Sequence, residues 1–275
     1  MSSIETYSDL ALAHTRKASR AGGGDLARFL AGYMGDETHP RWHSDWAWDN
    51  YERIIPALAS HFRLKHLCEI GGGRDPLFAE EKAAGLGLHY TINDIDPVEL
   101  AHAPACFDKA CFDIAGDLWA MKNLPGPYDL MVSRMVFEHV ADVERAWNNV
   151  HTLLAPGGVA LCFFPTLYAW PFVVNHLIPE RLSHRIVQAL FPNRRDGGGD
   201  PKFPAVYDWC YGRESVLRPM LERAGFSDIH VQPFWGQHYL AKFPIVRDVD
   251  AALDRLLARL DWRLFTSYAY VIVRK

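Results

Sequence analysis

Acidic residues and a histidine stand at or near the ends of strand-like apolar runs in this sequence. Glu69 lies in "HLCEI", Asp94 closes "LHYTIND", and Asp113 lies near the end of "KACFDI". Glu138 and His139 follow the apolar run "YDLMVSRMV". Carboxylates accept hydrogen bonds from hydroxyl and amino groups, and a histidine exchanges a proton near neutral pH. These residue types predict recognition of a polar ligand with a proton transfer beside it.

The segments that must position these residues alternate between strand-like and helical patterns. The strand-like runs of the middle of the chain are 66–70, 88–94, 109–114, 128–136 and 158–164. The tail adds a helix at 213–224, a strand at 226–235, a helix at 246–260 and a strand at 267–274. Such alternation predicts parallel strands joined by right-handed crossovers, and therefore a doubly wound α/β sheet. Ligands of these sheets bind at the carboxyl ends of the strands.

Four segments are predicted along the chain. Residues 1–55 form an N-terminal segment of helical pattern that is rich in aromatic residues, and 56–164 form the ligand-binding core. Residues 165–212 separate the fifth strand from the next core helix, and 213–275 complete the sheet. A connection of that length usually serves as a lid or a binding loop, so we expect a cap insertion. Within it, the glycine-rich stretch 193–202 is predicted to be a mobile hinge.

The stretch "EIGGGRDP", residues 69–76, follows the first predicted strand. Gly71 and Gly73 fit the first two glycines of the dinucleotide pattern G-x-G-x-x-G, but Pro76 stands in the third place. A G-x-x-x-x-G-K-[ST] loop for nucleoside triphosphates is absent as well. The loop therefore indicates a ligand that needs a close backbone turn without phosphate groups.

The acids narrow the class of ligand. Asp94 is placed to accept hydrogen bonds from both hydroxyls of a ribose, and Asp113 from an adenine amino group, with Asp117 as the alternative. Glu69 is placed to face a positively charged amine. Each acid has a plainer interpretation as a turn or helix cap, although Asp96 followed by proline already supplies a helix start after Asp94. A ribose, an adenine and an ammonium group without phosphate describe S-adenosylmethionine.

Five motifs occur in the order in which class I S-adenosylmethionine-dependent methyltransferases carry them. They are "CEIGGGRD", "YTINDIDP", "CFDIAGDL", "YDLMVSRMVFEHV" and "LLAPGGVALCFF". The sequence resembles this family well over about residues 60–165 and moderately in the tail. The resemblance implies a Rossmann-like sheet of about seven strands whose last strand is antiparallel. It also implies S-adenosylmethionine as cofactor and S-adenosylhomocysteine as product.

The resemblance places the parts of the cofactor along the motifs. Glu69 and the glycines line the methionine part, the second acid holds the ribose, the third holds the adenine, and the fourth strand passes the sulfonium. One departure is Asp75, which stands where the family often has a third glycine and leaves Arg74 as a partner for the cofactor carboxylate. The predicted cofactor-binding residues are Glu69, Gly71, Gly73, Arg74, Asp94, Ile95, Asp113, Ile114, Ser133 and Arg134.

The predicted chemistry is methylation of a hydroxyl group on a small molecule. His139 is the candidate general base and Glu138 a weaker one, with a structural role for His139 as the alternative. An Asn-Pro-Pro-aromatic motif is absent after the fourth strand, which argues against methylation of planar amino groups. N- or C-methylation and a silent cofactor-binding subunit remain alternatives, whereas a nicotinamide oxidoreductase is disfavoured by Pro76.

Aromatic residues are dense in the N-terminal segment and around the insertion. Most are expected to fill a core, and a few are expected to line an apolar cleft for an aromatic, lipid-like or glycosyl acceptor. The predicted acceptor-site residues are Trp46, Tyr51, Trp170, Tyr207 and Tyr211.

The composition limits the possible partners and location. The chain has 275 residues and a formal net charge of −4, so no nucleic-acid partner is expected. Its five cysteines form no C-x-x-C pair, and the first thirty residues lack an export signal, so we expect reduced thiols, no metal site and a cytoplasmic location. The uncharged stretch 159–178 is interrupted by prolines, which favours a shallow membrane contact over a transmembrane span. A monomer or a homodimer is expected.

Overall fold

The fold is built on one seven-stranded sheet. The computed structural model describes residues 24–36, 38–167, 205–237 and 244–275. The strands are β1 (His66–Ile70), β2 (His89–Asp94), β3 (Asp108–Cys111), β4 (Tyr128–Arg134), β5 (Leu154–Pro165), β6 (Asp228–Phe234) and β7 (Tyr268–Arg274). Their order across the sheet is β3-β2-β1-β4-β5-β7-β6.

Seven α-helices of the described ranges accompany the sheet. They are α1 (Asp25–Gly32), α2 (Ser44–Phe62), α3 (Glu80–Gly85), α4 (Pro97–His102), α5 (Val143–Leu153), α6 (Glu214–Arg223) and α7 (Pro244–Arg259). Aspartate side chains cap the first turns of two helices. Asp96 accepts from the Val98 backbone N–H at the start of α4, and Asp142 accepts from the Arg145 N–H at the start of α5. None of these helices combines the length and the apolar character needed to cross a membrane.

The sheet pairing confirms the predicted fold class. Strands β1 to β5 pair in parallel, and β7 runs antiparallel between β5 and β6. The strand order reverses between β1 and β4, so this pair marks the switch point at which ligands of such sheets bind.

The strands β3 and β5 differ most in extent from the prediction. β5 begins at Leu154, four residues before the predicted start, because Leu154 still pairs with Tyr128 before the pairing is interrupted. Gly157, at φ +79°, lies in this irregular stretch, and regular pairing resumes when Val159 opposes Leu130. β3 ends at Cys111, so Asp113 follows the strand by two residues instead of ending it.

Both faces of the sheet are covered by apolar layers. One layer packs α5 and α6 against the sheet through side chains such as Trp147 and Leu217. The other packs α2 against the opposite face, and its buried residues include Ile54, Ile55 and Leu58. Burial on both sides explains why the central strands are almost continuously apolar.

The N-terminal residues 1–23 and most of the predicted insertion, 168–204 with its hinge at 193–202, lie outside the described residues. The two described ends of the insertion are bonded to each other, and its first end is also bonded to the core. The Leu167 backbone N–H donates to the Cys210 carbonyl at 2.8 Å, and the Thr166 N–H donates to the Ser267 carbonyl at 3.0 Å. The division into four segments stays a prediction.

Candidate cofactor and acceptor site

The glycine loop lies at the switch point and approaches its neighbours closely. Gly71 has φ +71°, and a Cβ added there would lie 2.5 Å from a Val136 methyl group. Gly73 has φ +45°, and a Cβ there would lie 2.9 Å from Asp94 Oδ2. The Gly72 N–H donates to the Asn93 carbonyl at 2.9 Å, which ties the loop to the end of β2. The backbone therefore needs glycine at both positions.

Gly71→Ala is expected to weaken binding of S-adenosylhomocysteine about tenfold or more, because the left-handed conformation costs an alanine roughly 1–2 kcal/mol. The contact with Val136 adds a steric conflict. Isothermal titration calorimetry measures the affinity. Gly85→Ala is the matched control, since a Cβ at Gly85 meets no atom within 4 Å. Equal affinities of the two variants would show that the loop tolerates a side chain.

Asp94 ends β2 beside the glycine loop. One carboxylate oxygen accepts from the Asp96 N–H at 2.9 Å, and burial raises the pKa of Asp94. The other oxygen, Oδ2, lies against Gly73. The next residue, Ile95, is 65% exposed and offers an apolar surface at the same strand end. A charged acceptor beside an apolar surface fits a nucleoside.

Asp113 and Ile114 follow β3 at the neighbouring strand end. Asp113 is exposed, and its Oδ1 accepts from the Ala115 N–H at 2.8 Å. Ile114 is buried, and its carbonyl accepts from the Asn149 side chain at 2.7 Å. Asp117 similarly accepts from the Trp119 N–H at 3.1 Å. Each acid thus caps a turn with one oxygen, and both remain candidates for the adenine amino group.

Glu69 is oriented differently from the prediction. Its side chain is buried, and Oε2 accepts from the Leu77 N–H at 3.0 Å and from the Tyr90 hydroxyl. Burial raises the pKa of Glu69 to about 7. The carboxyl group therefore braces the glycine loop from inside, instead of facing a ligand ammonium. The sequence interpretation missed Tyr90, which becomes a diagonal neighbour of Glu69 only once β1 and β2 pair in parallel.

Arg74 is also engaged within the protein. Its guanidinium donates two hydrogen bonds to Glu99, at 2.5 and 2.6 Å, so it is not left free for a cofactor carboxylate as predicted. Arg134, at the end of β4, lies 3.5 Å from Glu52 and has one third of its side chain exposed. Its charge lowers the pKa of Glu69 against the larger effect of burial. The positive charge of Arg134 therefore partly offsets the effect of burial on the pKa of Glu69.

Ser133 lies next to Arg134 and carries a buried hydroxyl with no hydrogen-bond partner among the described residues. Its backbone is held by Tyr51, whose hydroxyl donates to the Ser133 carbonyl at 2.6 Å and accepts from the Ser133 N–H at 3.1 Å. Tyr51 is completely buried, so it positions β4 and does not line an open cleft as predicted. A buried hydroxyl without a partner is unusual, because most buried polar groups are hydrogen-bonded.

The aromatic residues of α2 divide between the core and the surface. Trp46 is 3% exposed and stacks on Phe234 at 6.0 Å, so it too belongs to the core and not to an open cleft. Trp48 is 38% exposed and packs edge-on against Phe163, near the carboxyl end of β5. The predicted set omitted Trp48, although the helical spacing of the buried residues indicates that it lies off the core stripe. Trp170 lies outside the described residues.

The chain returning from the insertion contacts the turn after β4. The Val206 and Tyr207 N–H groups donate to the Glu138 carbonyl at 2.8 and 3.0 Å. Tyr207 and Tyr211 are partly buried against the apolar layer of this face. Tyr207 has φ +57°, which is uncommon for a residue with a bulky side chain. The structure therefore brings Tyr207 to the turn that carries the candidate base, whereas the Tyr211 N–H donates to the Trp209 carbonyl at 3.0 Å.

Glu138 and His139 lie in a helical turn, Phe137–His139, just beyond β4. Glu138 is 3% exposed, and its Oε2 has no hydrogen-bond partner in the part of the chain that the structure describes. Burial raises the pKa of Glu138 to about 8. Its Oε1 lies 3.8 Å from Nε2 of His139, whose side chain is one third exposed. A protonated acid thus stands beside an accessible imidazole, an arrangement common where proton transfer is catalysed.

Glu138→Gln is expected to flatten the pH dependence of stability. The unfolded chain ionises Glu138 near its ordinary pKa, whereas the folded protein keeps the proton up to about pH 8. Stability is therefore lost as pH rises between these values, by an amount on the order of 3–5 kcal/mol. Urea unfolding from pH 5 to 8 measures this decline, with exposed Glu81→Gln as control. Parallel curves for Glu138→Gln and the parent would contradict the buried, protonated state.

Among the described residues, no group of three or more His, Cys, Asp or Glu side chains is placed to hold a metal ion. All five cysteines are free, and Cys68, Cys162 and Cys210 are buried. The remaining polar features cluster at the carboxyl ends of β1, β2, β3 and β4. They lie at the edge where doubly wound α/β sheets bind their ligands.

Comparison with known proteins identifies the class. A family model described as a methyltransferase domain matches residues 43–231, well over half of the chain, and the chain belongs to that family. This match confirms the predicted family, the enzyme class and the cofactor, S-adenosylmethionine.

Individual relatives are distant. The chain is 30% identical over 105 residues to an uncharacterized methyltransferase of Mycolicibacterium gilvum (strain PYR-GCK), a match that covers 38% of this chain and 40% of the relative. A S-adenosylmethionine-dependent methyltransferase of Archaeoglobus fulgidus is 15% identical, with a TM-score of 0.47 over 84% of this chain and 99% of that one. The Haemonchus contortus phosphoethanolamine N-methyltransferase 2 is 17% identical, with a TM-score of 0.47, and the match covers 82% of this chain and 52% of that one.

Proposed function

We propose that this protein transfers the methyl group of S-adenosylmethionine to a hydroxyl group of a small molecule. The cofactor supplies an electrophilic methyl group on a sulfonium, and the protein must align the acceptor and remove its proton. The observation that carries the proposal is the pair formed by His139 and the buried, protonated Glu138 directly after β4.

The switch point supplies groups that fit each part of the cofactor. The second carboxylate oxygen of Asp94, Oδ2 beside Gly73, would accept from the ribose hydroxyls, with Ile95 against one face of the base. Asp113 and Ile114 would hold the adenine edge. Ser133, with its unpartnered hydroxyl, and Arg134 would face the methionine part, and Arg134 takes the role first expected of Arg74.

His139 would act as general base in this site. Its imidazole would take the proton of the acceptor hydroxyl as the oxygen attacks the methyl group, and then release it to water through its exposed edge. Glu138 would fix the position of the ring while remaining neutral near pH 7. Its burial means that any negative charge there would have no solvent to stabilise it.

The acceptor would lie over the carboxyl ends of β4 and β5. Trp48, packed against Phe163, and the two tyrosines at the end of the insertion, Tyr207 and Tyr211, surround this edge with aromatic surface. Such surface suits an aromatic, lipid-like or glycosyl acceptor. We also propose that residues 165–212 form a cap over this site. The protein would be cytoplasmic, a monomer or a homodimer, and without a nucleic-acid partner.

The test is methyl transfer from isotope-labelled S-adenosylmethionine to matched pairs of acceptors. Phenols, fatty alcohols and glycosides are each compared with an amine of the same skeleton, and mass spectrometry locates the label. Label on oxygen only is the expected result. Label on nitrogen or carbon would overturn hydroxyl specificity, and tight S-adenosylhomocysteine binding without any product would indicate a silent subunit.

A further inference from the structure

Helix α7 carries an exposed apolar stripe that no described residue covers. Val249, Leu253, Leu256 and Leu260 are 65, 42, 51 and 61% exposed, and their spacing places them on one face of the helix. Trp262 and Phe265 continue the apolar surface at 53 and 36% exposure. We call these six residues the α7 patch. Contiguous apolar surface of this kind marks an interaction site in a water-soluble fold.

The opposite face of α7 already packs on the protein. Asp250, Asp254, Leu257 and Ala258 are each no more than 7% exposed, and the Gln237 side chain donates to Asp250 at 2.8 Å. The helix is thus anchored by one face and presents the other outward. Its acidic residues at 250 and 254 are turned inward, which removes negative charge from the exposed side.

The exposed charges around the patch are mainly positive. Arg247 pairs with Asp248, and Arg263 pairs with Asp261, each at 2.8 Å. Arg255 bonds only to a carbonyl of its own helix, and Arg259 has no ion-pair partner within the described ranges. Two arginines beside the apolar stripe therefore remain available to an anionic partner.

We propose that the α7 patch docks on the surface of an anionic phospholipid membrane. A helix lying in the interface inserts its apolar side chains and keeps its basic residues at the headgroups, where arginine is attracted to anionic lipid. Trp262 and Phe265 suit the boundary between hydrocarbon and water. A second copy of the chain fits less well, because pairing two patches would bring four unpaired arginines together.

Flotation of the full-length protein with phosphatidylcholine vesicles, with and without phosphatidylglycerol, tests this docking. We expect binding to the anionic vesicles, weakened by salt. Leu256→Glu should reduce partitioning roughly tenfold or more, because a leucine side chain that inserts into the membrane is replaced by a charge. Arg255→Gln and Arg259→Gln should each reduce it on the order of fivefold. Leu124→Glu is the matched control, since Leu124 is 44% exposed outside the patch.

Three outcomes would overturn the proposal. The first is absence of vesicle binding, or equal binding by Leu256→Glu and the parent. The second is a dimer in light scattering that Leu256→Glu dissociates, which would make a second copy the occupant. The third is a lower melting temperature of Leu256→Glu, which would show that the chain itself covers the patch. S-adenosylhomocysteine affinity should be unchanged in every variant, so this test is separate from that of the catalytic site.

Discussion

His139→Ala is expected to lower methyl transfer about a hundredfold or more while leaving the affinity for S-adenosylhomocysteine nearly unchanged. The imidazole stands beyond β4, beside Glu138 and apart from the groups expected to hold the ribose and the adenine. Its loss would remove the proton acceptor without disturbing the nucleoside site. Single-turnover kinetics on the acceptor found by label transfer measures the chemical step, and calorimetry measures the affinity.

His139→Asn separates the two roles of this histidine. Asparagine retains hydrogen bonding and much of the volume but takes up no proton, so it should be as slow as the alanine variant. His102→Ala is the matched control, because His102 is exposed at the end of α4 and bonds to the Val98 carbonyl of its own helix. Recovery of turnover in His139→Asn would reduce His139 to a packing residue and leave catalysis to proximity.

Asp94→Ala is expected to weaken S-adenosylhomocysteine binding by about 1.5–3 kcal/mol, which is roughly 10- to 150-fold, because two ribose hydroxyls lose a charged acceptor. Asp94→Asn keeps an oxygen for the Asp96 N–H and loses the charge, so its affinity should fall between those of the alanine variant and the parent. Calorimetry gives both values.

The control for this substitution is Asp108→Ala. Asp108 begins β3 at the amino end of the neighbouring strand pair and is exposed, so it tests the removal of a carboxylate far from the strand ends that form the site. If Asp94→Ala binds S-adenosylhomocysteine as tightly as Asp108→Ala, Asp94 does not contact the ribose.

The fold was predictable because its signals are local. Apolar runs of strand length, helical spacing and the glycine loop are short-range patterns, and their alternation alone constrains the connection of parallel strands. The acid at the end of β2 was predictable for the same reason, since Asp96 visibly supplies the separate cap of α4.

The orientation of individual site residues depends on distant partners. Glu69 turns inward because Tyr90 lies within hydrogen-bond reach across the sheet, and Arg74 is held by Glu99, 25 residues away in sequence. No local pattern shows either pairing. Trp48 is the opposite case, because the helical periodicity of α2 already separates it from the buried face. The same periodicity places Trp46 and Tyr51 on the buried face, so an aromatic side chain alone does not predict the open cleft.

The position of β3 at the edge of the sheet has a thermodynamic consequence. This strand has four residues, pairs with β2 alone among the described strands, and buries none of its side chains completely. Local opening of the sheet therefore costs least there. In the proposed site, the adenine would be held at Asp113 and Ile114, directly beyond this strand. Binding of the adenine would therefore stabilise β3 against local opening, because the cofactor would bind the closed edge of the sheet in preference to the open one.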